Sequence, residues 1–181
     1  MASSTISMGV RIGTAFWLLQ IAALAADPPS PSVGVFDTGP PPSRAGVQAL
    51  DRRDRWTRLP EDRLAHTFRF GAAVANARLT AVFQRGAGVA LFADQAGGPV
   101  LRAVLKPVIG DQAGRMTSVS VVRNTSTEGA LDATFQWPDG RRATIRFELE
   151  IGQVFIKTRP RNPVDALRLE APCRFLVMPD F

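Results

Sequence analysis

No tyrosine occurs among the 181 residues, and cysteine and histidine occur once each. Without a phenol, no tyrosine can act as acid, nucleophile or sugar platform. The lone thiol, Cys173, excludes an internal disulfide framework and any multi-cysteine metal site, and the lone imidazole, His66, excludes a two-histidine site. Lysine is scarce as well: arginine supplies 20 of the 22 basic residues. That excess, beside abundant Ala and Gly, fits the base composition of the coding DNA better than selection for polyanions. The formal charge is +6, but the arginines are scattered, and the densest stretch, Asp51-Arg52-Arg53-Asp54-Arg55, is interleaved with acid. Nucleic-acid binding needs basic residues clustered on a face or in a run, so no nucleic-acid partner is expected. With 45% hydrophobic and 21% charged residues, the chain is too apolar to be disordered throughout. That composition suits one compact core with tails.

Charge is missing from the N-terminus too, where Arg11 is the only charged side chain before Asp27. Ile12 to Leu24 is apolar apart from Gly13, Thr14 and Gln20, and ends in Ala23-Leu24-Ala25. A basic start, a short apolar stretch and an A-x-A step define a signal peptide over residues 1–25. The apolar stretch is shorter than the roughly 20 residues a membrane-spanning helix needs. A secreted or periplasmic protein is expected, with no transmembrane helix in the mature chain. Cleavage before Ala26 removes Arg11 and lowers the formal charge from +6 to +5.

Pro28, Pro29, Pro31, Pro40, Pro41 and Pro42 crowd the segment from Asp27 to Arg44. Proline fixes φ and lacks a donor, so this segment is expected to be an extended spacer. Residues 26–57 are read as a proline-rich linker with an unassigned end, and residues 58–181 as the compact domain.

That domain reads as strands. In Arg141–Ile151, Ala143, Ile145, Phe147, Leu149 and Ile151 alternate with Arg142, Thr144, Arg146, Glu148 and Glu150. Strand side chains point alternately to opposite faces, so one face is apolar and the other charged. Upstream, Leu131, Ala133, Phe135 and Trp137 alternate with Asp132, Thr134 and Gln136. Pro138-Asp139-Gly140 joins the two runs, as in a three-residue hairpin with a glycine bulge. Further strands are predicted at Leu64–Phe70, Arg78–Gln84, Val89–Ala93, Val100–Val108, Met116–Arg123, Val154–Thr158, Leu167–Ala171 and Arg174–Met178. Short strands at regular spacing, with Gly/Pro turns between them, predict an all-β antiparallel sandwich of roughly 8–10 strands. The run Phe175-Leu176-Val177-Met178 close to the last residue suggests that the domain continues into a longer polypeptide or needs a partner to complete its sheet.

The charged strand running into Glu150-Ile151-Gly152-Gln153-Val154-Phe155-Ile156 resembles strand–Gly–strand segments of large bacterial β-sandwich proteins, some of them non-catalytic domains of carbohydrate-active enzymes. The Gly97-Gly98-Pro99 to Pro107 and Glu170 to Phe181 stretches are similar to segments of uncharacterised secreted bacterial proteins. The resemblance implies a secreted, β-rich protein and carries over no functional residue.

Candidate chemistry is sparse. Glu148 and Glu150 lie two apart on one strand face, roughly 7 Å apart, within the span of an inverting glycosidase pair. The same face carries Arg142 and Arg146, which makes it a solvated charged ladder. His66 alternates with Leu64 and Phe68, which predicts an inward-facing ring, and pairing with Cys173 would require the fold to bring the two together. Asn124-Thr125-Ser126-Thr127-Glu128-Gly129 imitates a calcium loop without its leading Asp, and fits a turn better. Asn124-Thr125-Ser126 also fits the glycosylation acceptor pattern. Trp56 and Trp137 are the aromatic candidates for stacking on a sugar, although Trp137 continues the apolar face of its hairpin. No catalytic residue, metal site or cofactor is assigned. A secreted, non-catalytic interaction or structural module is expected, associated with polysaccharide or an envelope protein. The alternative is a non-catalytic or partial domain of a secreted carbohydrate-active hydrolase.

Overall fold

A computed structural model describes residues 32–39, 53–95 and 98–171. Its first seven strands are β1 (Gly34–Asp37), β2 (Thr57–Arg58), β3 (Gly71–Ala75), β4 (Leu79–Gln84), β5 (Val89–Gln95), β6 (Gly98–Ile109) and β7 (Gln112–Ala113). Then come β8 (Arg115–Asn124), β9 (Glu128–Gln136), β10 (Arg142–Glu150), β11 (Lys157–Pro160) and β12 (Ala166–Glu170). They form an eight-stranded sheet in the order β12-β6-β5-β4-β3-β1-β2, with β7 on β6, and a four-stranded sheet in the order β11-β10-β9-β8. All pairings are antiparallel. The two sheets pack face to face, so the fold is an all-β sandwich. Two meanders, β3 to β6 and β8 to β11, supply most of it, and β12 returns from the small sheet to the edge of the large one. Among the described residues no helix is long and apolar enough to cross a membrane.

The β9–β10 hairpin forms as its alternation dictates. Leu131 pairs with Phe147, Ala133 with Ile145 and Phe135 with Ala143, and all six are buried. In the turn, Gly140 takes φ +87°, a conformation open to glycine, while the Asp139 carboxylate accepts from the Arg141 amide. The Phe147 ring meets Phe83 of the opposite sheet edge-on, with centroids 5.2 Å apart. That contact joins the two meanders through the centre of the core.

Several expectations are corrected. The spacer assigned to Asp27–Arg44 fails at β1, which pairs with both β2 and β3 and buries Val35, with Val33 buried just before it. Flanking prolines hide a short apolar strand between them. Leu64–Phe70 is not a strand: Leu64 is exposed and only Phe68 reaches the core. Instead β3, Gly71-Ala72-Ala73-Val74-Ala75, occupies the next position. It has no alternating pattern because it is covered on both sides, with Ala72 and Val74 in the main core and Ala73 in a second cluster. That cluster, Ala73, Val82 and Phe92 beneath Trp56, Phe36 and Leu101, covers part of the large sheet's other face. The strand expected at Val154–Thr158 starts later, at Lys157, leaving Val154 and Phe155 exposed. Ile151 falls in a turn and is exposed rather than buried. The signal peptide and the strand expected at Arg174–Met178 lie outside the described residues.

Candidate functional site

The outward face of the four-stranded sheet carries the charged residues of the hairpin, and the register sets their neighbours. Arg142 lies beside Gln136, which lies beside Arg115; Thr144 beside Thr134, which lies beside Ser118; Arg146 beside Asp132, which lies beside Ser120. Toward the other end, Glu148 lies beside Ala130 on one side and Lys157 on the other, and Glu150 beside Glu128. Neighbouring strands are about 4.8 Å apart, so Arg115 and Arg142 stand about 10 Å apart across Gln136. Cross-strand pairs of this kind are the units that hold a sheet face.

The pairs are ordered. Arg146 donates to both carboxylate oxygens of Asp132, through Nε at 2.8 Å and Nη2 at 2.9 Å. This planar two-point bond fixes the guanidinium and raises the Arg146 pKa. Arg159 approaches Glu148 at 3.7 Å, Lys157 donates to Glu150, and Arg123 to Glu128. Thr134 and Thr144 share a hydrogen bond at 3.1 Å. Between these groups lies a shallow trough of about 290 Å³, with Arg146, Glu148, Glu150, Lys157 and Arg159 in its walls. Arg115 and Arg142 extend the polar face past it and have no ion-pair partner among the described residues.

Glu148 and Glu150 are each held by a basic partner, Arg159 and Lys157. A general acid needs a raised carboxyl pKa. The hydrogen bond from Lys157 holds the Glu150 carboxyl below its ordinary value instead. Nor are Arg146 and Glu148 freely solvated: their side chains are only 18% and 17% exposed, flattened against their neighbours.

The other sequence candidates are separate from this face. Trp137 is buried in the core, and its indole Nε1 donates to the Gln112 carbonyl at 2.9 Å, so it offers no ring face to a sugar. Trp56 is half-buried over the outer cluster, 6.0 Å from the Phe36 ring and 5.8 Å from the Arg53 guanidinium. His66 does not point to the core. Its Nε2 lies 2.9 Å from Asp37 Oδ2 and its ring sits edge-on to Phe68, which clips the loop before β3 onto β1. Cys173 lies outside the described residues. The Asn124 loop is a turn: Thr125 Oγ1 accepts from the Glu128 amide at 3.0 Å, and the buried Asn124 amide donates to Pro60 O at 2.6 Å. That burial removes Asn124 as a glycan acceptor. Among the described residues no group of three His, Cys, Asp or Glu side chains is placed to hold a metal ion.

The Arg146–Asp132 bond was not anticipated from sequence, although its signal was present. The Pro-Asp-Gly turn sets the hairpin register, and that register puts residue 146 opposite residue 132. Lys157 and Arg159 had no such signal, because the preceding connection shifts the start of β11. Compared with known proteins, the chain matches no family, no curated protein and no solved structure.

Proposed function

We propose that the chain is an exported, non-catalytic β-sandwich module that holds a polysaccharide of the cell envelope against the outer face of its four-stranded sheet. Sugar hydroxyls both donate and accept, and they are best met by donors and acceptors fixed side by side. The carrying observation is the two-point bond by which Asp132 fixes Arg146 in the wall of a trough where guanidinium, ammonium and carboxylate groups alternate. Charges already paired within the protein are held in place before a ligand arrives, which lowers the ordering cost of binding. Arg115 and Arg142, flanking Gln136, add positive charge at one end and favour a glycan bearing carboxylates. Residues 1–25 support export. The segmental likeness to non-catalytic domains of carbohydrate-active enzymes points the same way.

The test is retention of the folded protein in native gels containing either a neutral polysaccharide or one rich in uronic acid. Retardation by the uronate polymer, relieved by Arg142→Ala with Arg159→Ala and unchanged by Arg69→Ala in the loop before β3, is expected. Equal migration in all gels would overturn the proposal. So would release of reducing ends that stops in Glu150→Gln, since a binding module leaves the polymer intact.

A further inference from the structure

A second concavity lies between the sheets and shares no lining residue with the polar trough. It is a groove of about 510 Å³ between β4, β5, β6 and β12 of the large sheet and the connection from β10 to β11. Leu79, Leu91, Leu105 and Leu167 form its floor, and Phe155 and Leu169 its rim. The rim side chains are 54% and 60% exposed, an apolar surface concentrated in one place. Small-molecule sites have this size and character, mostly apolar with a few placed polar groups.

The polar groups here are few. Of the lining residues only Arg102 and Thr158 are polar, and Arg102 alone is charged. A β-bulge puts it there. Leu91 pairs with Ala103 and Phe92 with Leu101, so Arg102 is the extra residue of β6, with no partner across the ladder. Bulges interrupt pairing, and they recur where a side chain has to be re-aimed. This one turns a guanidinium into a wall of leucines, where no ion pair neutralises it among the described residues. Glu170 of the adjoining β12 is already taken by Lys106 at 2.8 Å. The opposite wall is fixed before any ligand arrives. Asn76 donates to the Gln153 carbonyl at 2.9 Å, next to Val154 in the groove, which lowers the ordering cost of binding.

We infer that this groove binds a single acyl chain ending in a carboxylate, the chemistry of a fatty acid. The hydrocarbon lies on the leucine floor beside Phe155 and Leu169, and the carboxylate meets Arg102, whose planar fork engages two oxygens at once. A purely apolar groove would accept any hydrocarbon, whereas the guanidinium aimed by the bulge selects an anionic head. One cation in a groove of this size matches one chain with one head.

Decanoate, decanol and decyltrimethylammonium, each kept below its aggregation limit, are the probes, with binding to the full chain read by calorimetry and by amide NMR shifts. Decanoate should saturate one site per chain, shift the amides of Ala103 and Phe155, and bind at least about tenfold more tightly than decanol. The ammonium probe should bind most weakly. Arg102→Gln should bring decanoate down to the level of decanol and leave decanol unchanged, while Leu169→Asp should weaken both. Arg102 and Leu169 are exposed, so neither variant removes core packing, and the decanoate–decanol contrast needs no variant. Equal affinity for decanoate and decanol, or decanoate binding that survives Arg102→Gln, would overturn the inference. So would shifts confined to Arg115, Arg142 and their neighbours, since the carboxylate would then be held on the polar face. Attachment to anionic phospholipid vesicles without uptake of decanoate would overturn it in favour of a membrane surface. A dimer that Leu169→Asp dissociates, again without uptake, would assign the groove to a second copy instead.

Discussion

The side-chain amide of Asn76 donates to the backbone carbonyl of Glu150 at 2.8 Å, tying the turn between β3 and β4 to the end of β10 in the other sheet. A second bond reaches Gln153 O at 2.9 Å, while Oδ1 accepts from the amides of Arg78 and Leu79. One buried side chain thus shapes its own turn and staples the two sheets at one end. Asn76→Ala would leave two carbonyls and two amides without these partners. Each buried group left unsatisfied costs about 1–3 kcal/mol, so a loss of about 2–4 kcal/mol is expected after partial rescue by water. Urea unfolding measures it, and a change below about 0.5 kcal/mol would show that the staple carries no weight.

The two faces of β10 should respond very differently. Phe147 is fully buried against Phe83, and Phe147→Ala is expected to cost about 3–5 kcal/mol. Glu148 meets a largely exposed Arg159 at 3.7 Å, and exposed ion pairs contribute about 0–1 kcal/mol. Glu148→Gln should therefore change stability by less than about 1 kcal/mol in the same denaturant series. The reverse ranking would mean that the hairpin is turned the other way.

Acid should break the contact between Glu150 and Lys157 at the rim of the trough only at a pH below the ordinary carboxyl range. The Lys157 hydrogen bond lowers the Glu150 pKa in the folded state, so the unfolded state binds this proton more readily. The stabilisation is present above the ordinary carboxyl value of 4.5 and is lost as the pH falls through the lower, folded value. Carbon-detected NMR titration should find the Glu150 carboxyl below 4.5 in the parent chain and shifted upward in Lys157→Met. An unchanged midpoint in that variant would dissociate the shift from Lys157.

What was legible in the sequence was what alternates. The β9–β10 hairpin, its turn and its buried Phe135, Phe147 and Leu149 follow from period-two patterning and one Pro-Asp-Gly signal. The strands that escaped notice lack that pattern for physical reasons. β3 is covered on both sides and made of small residues, so neither face stands out. β1 is four residues long and lies within a proline-rich stretch, where composition suggests a spacer. Leu64–Phe70 had the composition of a strand but is held by long-range bonds instead, His66 to Asp37 and the Arg85 guanidinium to Phe68 O. The polar face was readable as a face. Its trough was not, because Lys157 and Arg159 reach it only through the β10–β11 connection, whose turn at Gly152 takes φ +72°.

Close approach of the sheets gives a last prediction. Gly129 pairs with Leu149 in the small sheet. A Cβ at this position would lie 2.5 Å from Val74 Cγ2 and 3.1 Å from Val33 Cγ1, both on the large-sheet side. Real contacts of that kind do not fall below 3.0 Å, and valine is stiff about χ1, so Val74 cannot swing aside within its own rotamer. Gly129→Ala must therefore push the sheets apart locally, at about 1–3 kcal/mol, the usual cost of overpacking. The source of that cost is testable by removing the obstructing methyls. Val74→Ala alone leaves a cavity and should destabilise, but Gly129→Ala added to it should cost clearly less than in the parent chain. The coupling between the two substitutions in a double-mutant cycle is expected to reach about 1 kcal/mol in the compensating direction. Strict additivity would mean that the backbone, not Val74, requires glycine at position 129.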